Sequence, residues 1–289
     1  MPASNRYPEC MAVSPERDEC IEQAYFFRVF RERIGENLPA QEILARVHQE
    51  LLSTTRLPYA VEFLATELKH SGLLANGFSK LPHYFTPFQA FLIKQAEDER
   101  SRLTITTALL ALEREANYKA NNPTVAGLFV YHFETIARNR MSYDEGLAAV
   151  AGDPFYPKVW KDYIELVRIQ VGAIDFCDLV YLRSELYVKD VLRNEPQYVP
   201  PVPPIFGEKE GKIAKANRGR DPLFLFAALQ RQLGYPEVPR IRMKDDINVK
   251  LDVVLGKLAQ IEQRLKLAEG ELRGNIDWKE FGVPEILKE

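Results

Sequence analysis

The chain has 289 residues, of which 46 % are hydrophobic and 27 % are charged, and its formal net charge is −3. This composition excludes a disordered chain, because enough apolar side chains are present to build a sizeable core. The small negative charge provides no general field that would attract nucleic acid or an anionic membrane. The length predicts one large domain or two small ones.

The cysteines are few and scattered. They are Cys10, Cys20 and Cys177, and no two of them have the CxxC spacing. Such a set predicts neither a disulfide framework nor a zinc site, and it fits a reducing compartment. The first residues contain no apolar signal-peptide core, and no run approaches the roughly 18 apolar residues of a membrane span. We therefore expect a cytoplasmic protein without a membrane-spanning segment.

Helix-start signals recur along the chain. Proline follows a capping residue at four places, Ser14-Pro15, Thr86-Pro87, Asp153-Pro154 and Asp221-Pro222. The capping side chain accepts a hydrogen bond from a backbone N–H that has no partner within the helix. Proline at the first helical position loses no hydrogen bond. Hydrophobic residues recur with a period of 3.6 after each pair, so the pattern predicts an all-α fold.

The first 195 residues are predicted to form a multi-helix bundle domain. Its helices are expected at residues 15–34, 40–52, 58–71, 87–120, 124–139 and 157–192, with a short helix after the capping-box pattern of Ser142 and Glu145. No segment of the chain predicts a strand. The bundle is therefore the expected body of the protein.

A change of composition follows the bundle. Residues 196–204 contain five prolines in nine positions. Such a run favours extended polyproline II and predicts a stiff linker, with binding to an aromatic groove as the alternative. A small helical segment at residues 205–240 comes next, and a helix is expected at 222–233.

A helix at residues 241–274 carries the most regular pattern. Its apolar residues alternate steps of four and three, which is the 3.5-residue period of a left-handed coiled coil. The seam consists of Ile247, Leu251, Val254, Leu258, Ile261, Leu265, Ala268 and Leu272. Leucine at the a positions with mostly β-branched residues at d favours more than two strands, a tetramer or a trimer.

Charges beside this seam predict the orientation of the strands. In a parallel assembly Lys257 faces Glu262 of a neighbouring copy, and Arg264 faces Glu269. Each pair contributes only a few tenths of a kcal/mol, but all of them favour a parallel homo-oligomer. The alternative is that this helix folds back onto the body.

The last segment, residues 275–289, is an apolar tail. It contains Ile276, Trp278, Phe281 and Ile286. Apolar side chains of this number are expected to dock on the coiled coil or on a protein partner.

Long helices such as those predicted here can carry a ferritin-like di-metal site. Such a site requires two Glu-x-x-His pairs and further carboxylates. Only Glu67 with His70 has this spacing, and Glu99 lies near an apolar helix face. The second pair is missing, so we predict no metal and no cofactor, with these three residues as weak candidates. Acids near apolar faces, such as Glu97 and Glu185, are instead expected to pair with arginines close in sequence, among them Arg183.

A local basic segment, residues 207–220, is the other candidate for binding. It is a possible anion-binding patch made of Lys209, Lys212, Lys215, Arg218 and Arg220. Aromatic residues are not interleaved with these cations, so nucleic-acid binding is not favoured, and a solvated basic helix is the simpler interpretation.

Motifs of nucleophilic catalysis and nucleotide binding are absent from the sequence, because it has no GxSxG elbow, Walker A loop or GxGxxG turn. We therefore expect a non-enzymatic helical scaffold or adaptor that self-associates through its C-terminal coiled coil. One alternative is a ferritin-like or other helical-bundle metal-binding protein or oxidoreductase. A second is a nucleic-acid-associated oligomer.

Overall fold

A computed structural model of the chain describes residues 16–240, together with Leu255, Leu258 and Ile261. The chain divides into two compact units, Met1–Ile241 and Arg242–Glu289. The predicted linker at residues 196–204 lies inside the first unit.

The described residues confirm the all-α fold class, because they form thirteen helices and only isolated bridges of the β type. The helices of the first unit are α1 Arg17–Gly35, α2 Ala40–Glu50, α3 Leu57–Ser71, α4 Leu74–Lys80, α5 Pro87–Glu97, α6 Ile105–Ala120, α7 Val125–Arg138, α8 Tyr143–Ala151, α9 Lys158–Gln170, α10 Phe176–Leu182, α11 Glu185–Asn194, α12 Glu208–Ala216 and α13 Pro222–Leu233. None of the described helices is both long enough and apolar enough to cross a bilayer.

Two of the predicted cap–proline pairs begin helices. The Thr86 hydroxyl accepts from Gln89 N at 3.3 Å, and the Gln89 side chain accepts from Thr86 N at 3.1 Å, which completes a capping box before α5. Asp221 caps α13 by accepting from Leu223 N at 2.9 Å. Asp153 instead caps a turn, and the next helix begins only at Lys158. Ser14-Pro15 lies outside the described residues.

The predicted helix at 87–120 is two helices, because polar side chains between them bind the backbone. Asp98 accepts from Arg100 N at 2.9 Å, and Ser101 accepts from Leu103 N at 3.1 Å. Thr104 then caps α6. These side chains offer the backbone hydrogen bonds that compete with a continuous helix.

The predicted helix at 157–192 is three helices. The first of them ends at Gln170, and Gly172 in the turn that follows has φ 95°, a left-handed conformation that glycine adopts at little cost. Asp175 caps α10, and Ser184 caps α11. The apolar period continues through both breaks, so the sequence pattern concealed them.

Helix α4 was not predicted, whereas α12 lies within the basic segment that was interpreted as a solvated helix. Helix α4 has no capping side chain of its own, and Glu97 at the end of α5 caps it from a distance. The Glu97 carboxylate accepts from Leu74 N at 2.6 Å and from Ala75 N at 2.9 Å. The prediction that Glu97 pairs with an arginine is therefore wrong, since its carboxylate serves a helix N-terminus.

The core of the first unit is continuous from α1 to the segment after α13. Helix α1 packs along α6, and α13 packs on α7. Phe26 and Phe30 of α1 are fully buried, and only 2 % of the surface of Phe206 and of Tyr235 is exposed. Buried side chains of residues 205–240 are thus part of the same core.

Most of the predicted coiled coil and all of the apolar tail lie outside the described residues. Within the second unit, Leu255, Leu258 and Ile261 are in α-helix, and more than half of each side chain's surface is exposed.

Candidate functional site

A buried group of charged and polar side chains lies in the middle of the first unit. We call it the charged cluster, and it consists of Glu115, Lys119, His132, Asp153 and Tyr156. The Lys119 ammonium lies 2.8 Å from Glu115 Oε1 and 2.9 Å from Asp153 Oδ2. His132 Nε2 lies 2.9 Å from the same Glu115 oxygen. All five side chains are buried.

Three elements bring the charged cluster together. Glu115 and Lys119 are four residues apart on α6 and therefore share one face of that helix. His132 comes from α7. Asp153 and Tyr156 come from the turn before α9, where Asp153 Oδ1 also accepts from Phe155 N at 2.9 Å. The cluster therefore joins two helices and a turn through hydrogen bonds.

His132 has a hydrogen-bond partner at each ring nitrogen. An ionised carboxylate only accepts hydrogen bonds, so Nε2–H of His132 donates to Glu115. The Tyr156 hydroxyl lies 2.9 Å from Nδ1 and forms the second hydrogen bond of the ring. Phe88 lies against the imidazole with 4.0 Å between ring centroids. The ring is thereby held on both edges and on one face.

Electrostatics keep the acid and the base of the cluster charged. Burial would raise the pKa of Glu115, but the Lys119 charge and the hydrogen bond from His132 outweigh burial and hold this pKa at about 2. Burial would lower the pKa of Lys119, but Asp153 and Glu115 raise it above its ordinary value. A carboxylate and an ammonium therefore face each other throughout the neutral pH range.

The charged cluster also has the donor atoms of a metal site. Glu115, His132 and Asp153 are the one group in the described part of the chain whose ligand atoms lie within 4.8 Å of one another. Two carboxylates and an imidazole suit zinc and similar divalent metals. The Lys119 ammonium, however, already contacts both carboxylates, and a divalent ion would have to displace it or remove its proton. The Lys119 ammonium thus occupies the position between the carboxylates that a metal ion would take.

Hydrogen bonds and charges in the cluster are not fully matched. Glu115 Oε2 is buried and has no hydrogen-bond partner among the described residues. The Lys119 ammonium contacts two carboxylates, those of Glu115 and Asp153. The cluster therefore depends strongly on Lys119, because a buried carboxylate without a cation is costly.

The charged cluster is closed to solvent. Glu115, His132 and Asp153 have no exposed surface, so a substrate cannot reach them in this conformation. Burial also raises the pKa of the nearby Cys20 thiol to about 11, and the charges of Lys119 and Glu115 act on the same thiol. Such a thiol is protonated at neutral pH and is a poor nucleophile. The arrangement is suited to fixing helices rather than to catalysis.

The three weak metal candidates are not part of this cluster. Glu67 Oε1 lies 2.6 Å from Lys80 Nζ in an ion pair between α3 and α4. His70 is exposed near the end of α3, and Glu99 is exposed in the turn after α5. Sequence reasoning missed the charged cluster because its acids and its histidine are separated by 17 or more residues and form no motif.

The basic segment carries less free charge than its sequence indicated. Lys212 lies 2.7 Å from Glu208, and Lys215 lies 2.7 Å from Asp190. Arg218 forms an ion pair with Asp178. Of the five predicted anion-binding cations, only Lys209 and Arg220 form no ion pair with a described residue.

An open, mostly apolar groove of about 470 Å³ lies between α4, α5 and α8. Phe78, Pro87 and Phe91 line it, and the exposed ion pair of Lys94 with Glu145, 3.2 Å apart, lies at its rim. A paired lysine at the rim leaves this groove without a free charged group.

Comparisons of the chain with protein-family models, curated proteins and solved structures found no match.

Proposed function

We propose that the protein is a helical scaffold or adaptor that self-associates through its C-terminal helix, residues 241–274. The observation that carries this proposal is the exposure of Leu258 and Ile261. Both residues are helical, they are three positions apart, and 55 % and 53 % of their surfaces are exposed. Leu258 occupies an a position and Ile261 a d position of the predicted seam.

Leu255 extends the same apolar surface, since it is helical and 55 % exposed at the neighbouring e position. A wide apolar face of this kind favours more than two strands. Association with other copies removes these side chains from water, at about 25 cal/mol for each Å² of apolar surface. Another copy of the same helix is the partner that fits the seam and its flanking charges best.

The body contributes rigidity to this function. The charged cluster fixes α6, α7 and the turn before α9, and its reactive groups are closed to solvent. A body of this kind presents a constant surface, and an oligomer presents several copies of that surface with a gain in avidity.

Two variants of the full chain test the seam. Leu258→Glu and Ile261→Glu place carboxylates on the associating face, so each is expected to dissociate the oligomer. Gln263→Glu, at an outer f position of the same helix, is the matched control and should retain the assembly. Light scattering coupled to gel filtration reads the mass. If the seam variants and the control have the same mass as the unaltered chain, the proposal is wrong.

Charge reversal tests the parallel orientation. A chain carrying Lys257→Glu and Arg264→Glu places like charges opposite Glu262 and Glu269, and it should associate less strongly with itself. A second chain carrying Glu262→Lys and Glu269→Lys should restore association when the two are mixed. If both altered chains associate with themselves as strongly as the unaltered chain does, the parallel model is wrong.

A second candidate, a helical-bundle metal-binding protein, has one specific observation in its favour, the geometry of Glu115, His132 and Asp153. Metal analysis of the purified full chain tests it. A stoichiometric divalent metal that is lost in a His132→Gln variant would support this candidate over the scaffold proposal.

A further inference from the structure

Arg183 lies between α10 and α11, where the proline-rich segment returns to the bundle. Ile205 N and Phe206 N donate to the Arg183 carbonyl oxygen at 2.9 and 3.1 Å, and Glu185 N donates to Phe206 O at 2.9 Å. These backbone bonds hold the prolines beside the Arg183 side chain. They form a small groove of about 230 Å³, which we call the Arg183 groove.

Apolar and aromatic side chains dominate the walls of the Arg183 groove. Tyr187 and Val188 of α11 form one side, and Tyr198 and Pro200 of the proline-rich segment form another. Arg183 is the only charged residue that lines it. The groove therefore combines an apolar enclosure with one positive charge.

The Arg183 guanidinium has no acidic partner among the described residues. Its one hydrogen bond there runs from an Nη atom to Pro203 O at a long 3.4 Å, and its Nε is buried without an acceptor. Its carbon Cζ lies 5.3 Å from the ring centroid of Tyr163. The expected pairing of Arg183 with the nearby Glu185 is therefore not formed.

Neighbouring cations differ from Arg183 in this respect. Lys215 pairs with Asp190, and Arg218 pairs with Asp178. Unlike these two cations, Arg183 forms no ion pair with a described residue. Partly buried arginines are normally bound to carboxylates or carbonyl oxygens, because their N–H groups lose water on burial.

Tyr163 supplies a second donor without a partner. Its side chain is fully buried beneath the guanidinium, and its hydroxyl has no hydrogen-bond partner among the described residues. Burial raises the pKa of Tyr163, so the hydroxyl keeps its proton and remains a donor. Tyr163 does not line the groove, so it offers Arg183 no acceptor, and the guanidinium is the group that a ligand in the groove can contact.

We propose that the Arg183 groove binds a small organic acid, with its carboxylate on Arg183 and its apolar body against Tyr187, Tyr198 and the prolines. A guanidinium binds a carboxylate through two parallel N–H···O bonds. The volume of about 230 Å³ is below the roughly 300–1,000 Å³ of sites for drug-sized ligands, so the ligand is small. This site is independent of self-association.

Titration of the full chain with phenylacetate tests the proposal, with phenylacetamide as the neutral molecule of the same shape and inorganic phosphate as a plain anion. Ligand-observed NMR reads weak binding directly. Phenylacetate should bind at least about tenfold more tightly than phenylacetamide, because the amide cannot form the charge-assisted bonds. It should also bind more tightly than phosphate, which lacks an apolar body.

Variants locate the binding. Arg183→Gln should weaken phenylacetate binding by about tenfold or more, and Arg183→Lys by less. Arg193→Gln, which removes an exposed arginine of α11 that pairs with Asp190, is the matched control and should bind as the unaltered chain does. Should Arg183→Gln misfold by circular dichroism, Tyr198→Ala at the opposite wall serves in its place.

Three results would overturn the proposal. Equal binding of the acid and the amide would remove the role of the charge. Equal or tighter binding of phosphate would make the groove a simple anion site. Unchanged binding by a folded Arg183→Gln or Tyr198→Ala variant would place the ligand elsewhere.

Discussion

Replacement of Lys119 by methionine is the most direct test of how the charged cluster holds the bundle. Among the described residues, the Lys119 ammonium is the one cation that contacts both Glu115 and Asp153, at 2.8 and 2.9 Å. Lys119→Met retains much of the side-chain volume but leaves two carboxylates buried without compensation. Breaking a buried pair in this way destabilises a protein by about 3–5 kcal/mol. That is a large part of the roughly 5–15 kcal/mol that a typical domain has.

Urea unfolding at neutral pH, followed by far-ultraviolet circular dichroism, measures the change. The midpoint should fall sharply while the dependence of free energy on urea concentration stays constant. Lys94→Met, which removes a cation from an exposed ion pair with Glu145, is the matched control and should shift the midpoint little. All samples contain a chelator, so that a bound metal cannot replace the ammonium.

A compensated variant separates charge from packing. Lys119→Met combined with Glu115→Gln and Asp153→Asn removes both carboxylates together with the ammonium, and it should regain much of the lost stability. If Lys119→Met unfolds at the same urea concentration as the unaltered chain, the ammonium does not compensate the carboxylates and the description of the cluster is wrong.

Three further predictions concern buried groups. The pKa of Glu115 is about 2 in the folded protein, below its ordinary 4.5. The ionised Glu115 therefore stabilises the fold by about 3 kcal/mol above pH 4.5, and this stabilisation is lost as the pH falls towards 2. If the free energy of unfolding of a Glu115→Gln variant falls with pH as steeply as that of the unaltered chain, this prediction is wrong. Burial raises the pKa of Cys20 and of Cys177 to about 11, so both thiols should react with a disulfide reagent far more slowly in the native protein than in denaturant; equal rates would contradict it. The Tyr235 hydroxyl donates to Glu134 at 2.6 Å, so Tyr235→Phe should lower the free energy of unfolding by about 1.5–3 kcal/mol in the same urea assay, and a change within error would show that this bond is dispensable.

The helical class and several helix starts could be predicted because their causes are local. Thr86 and Asp221 cap helices through residues that directly follow them, and such signals are present in any short window of sequence. The breaks in the long predicted helices were missed because the apolar period continues across them. Only the side chains of Asp98 and Ser101, which bind the backbone, reveal the first of these breaks.

The charged cluster and helix α4 could not be predicted, because their causes are distant in sequence. Glu97 caps α4 from the end of the following helix. Glu115 and His132 meet only because α6 packs beside α7. Arg183 shows the opposite case, since Glu185 is close to it in sequence but no ion pair forms between them. Proximity along a chain therefore predicts ion pairs poorly where a turn separates the two residues.

The proposed self-association is the central functional claim, and sedimentation equilibrium of the unaltered full chain tests it most directly. The chain mass is 33.2 kDa. The proposal predicts a mass of three or four chains over a range of concentrations, with dissociation only on dilution. A mass of one chain at every concentration would contradict it.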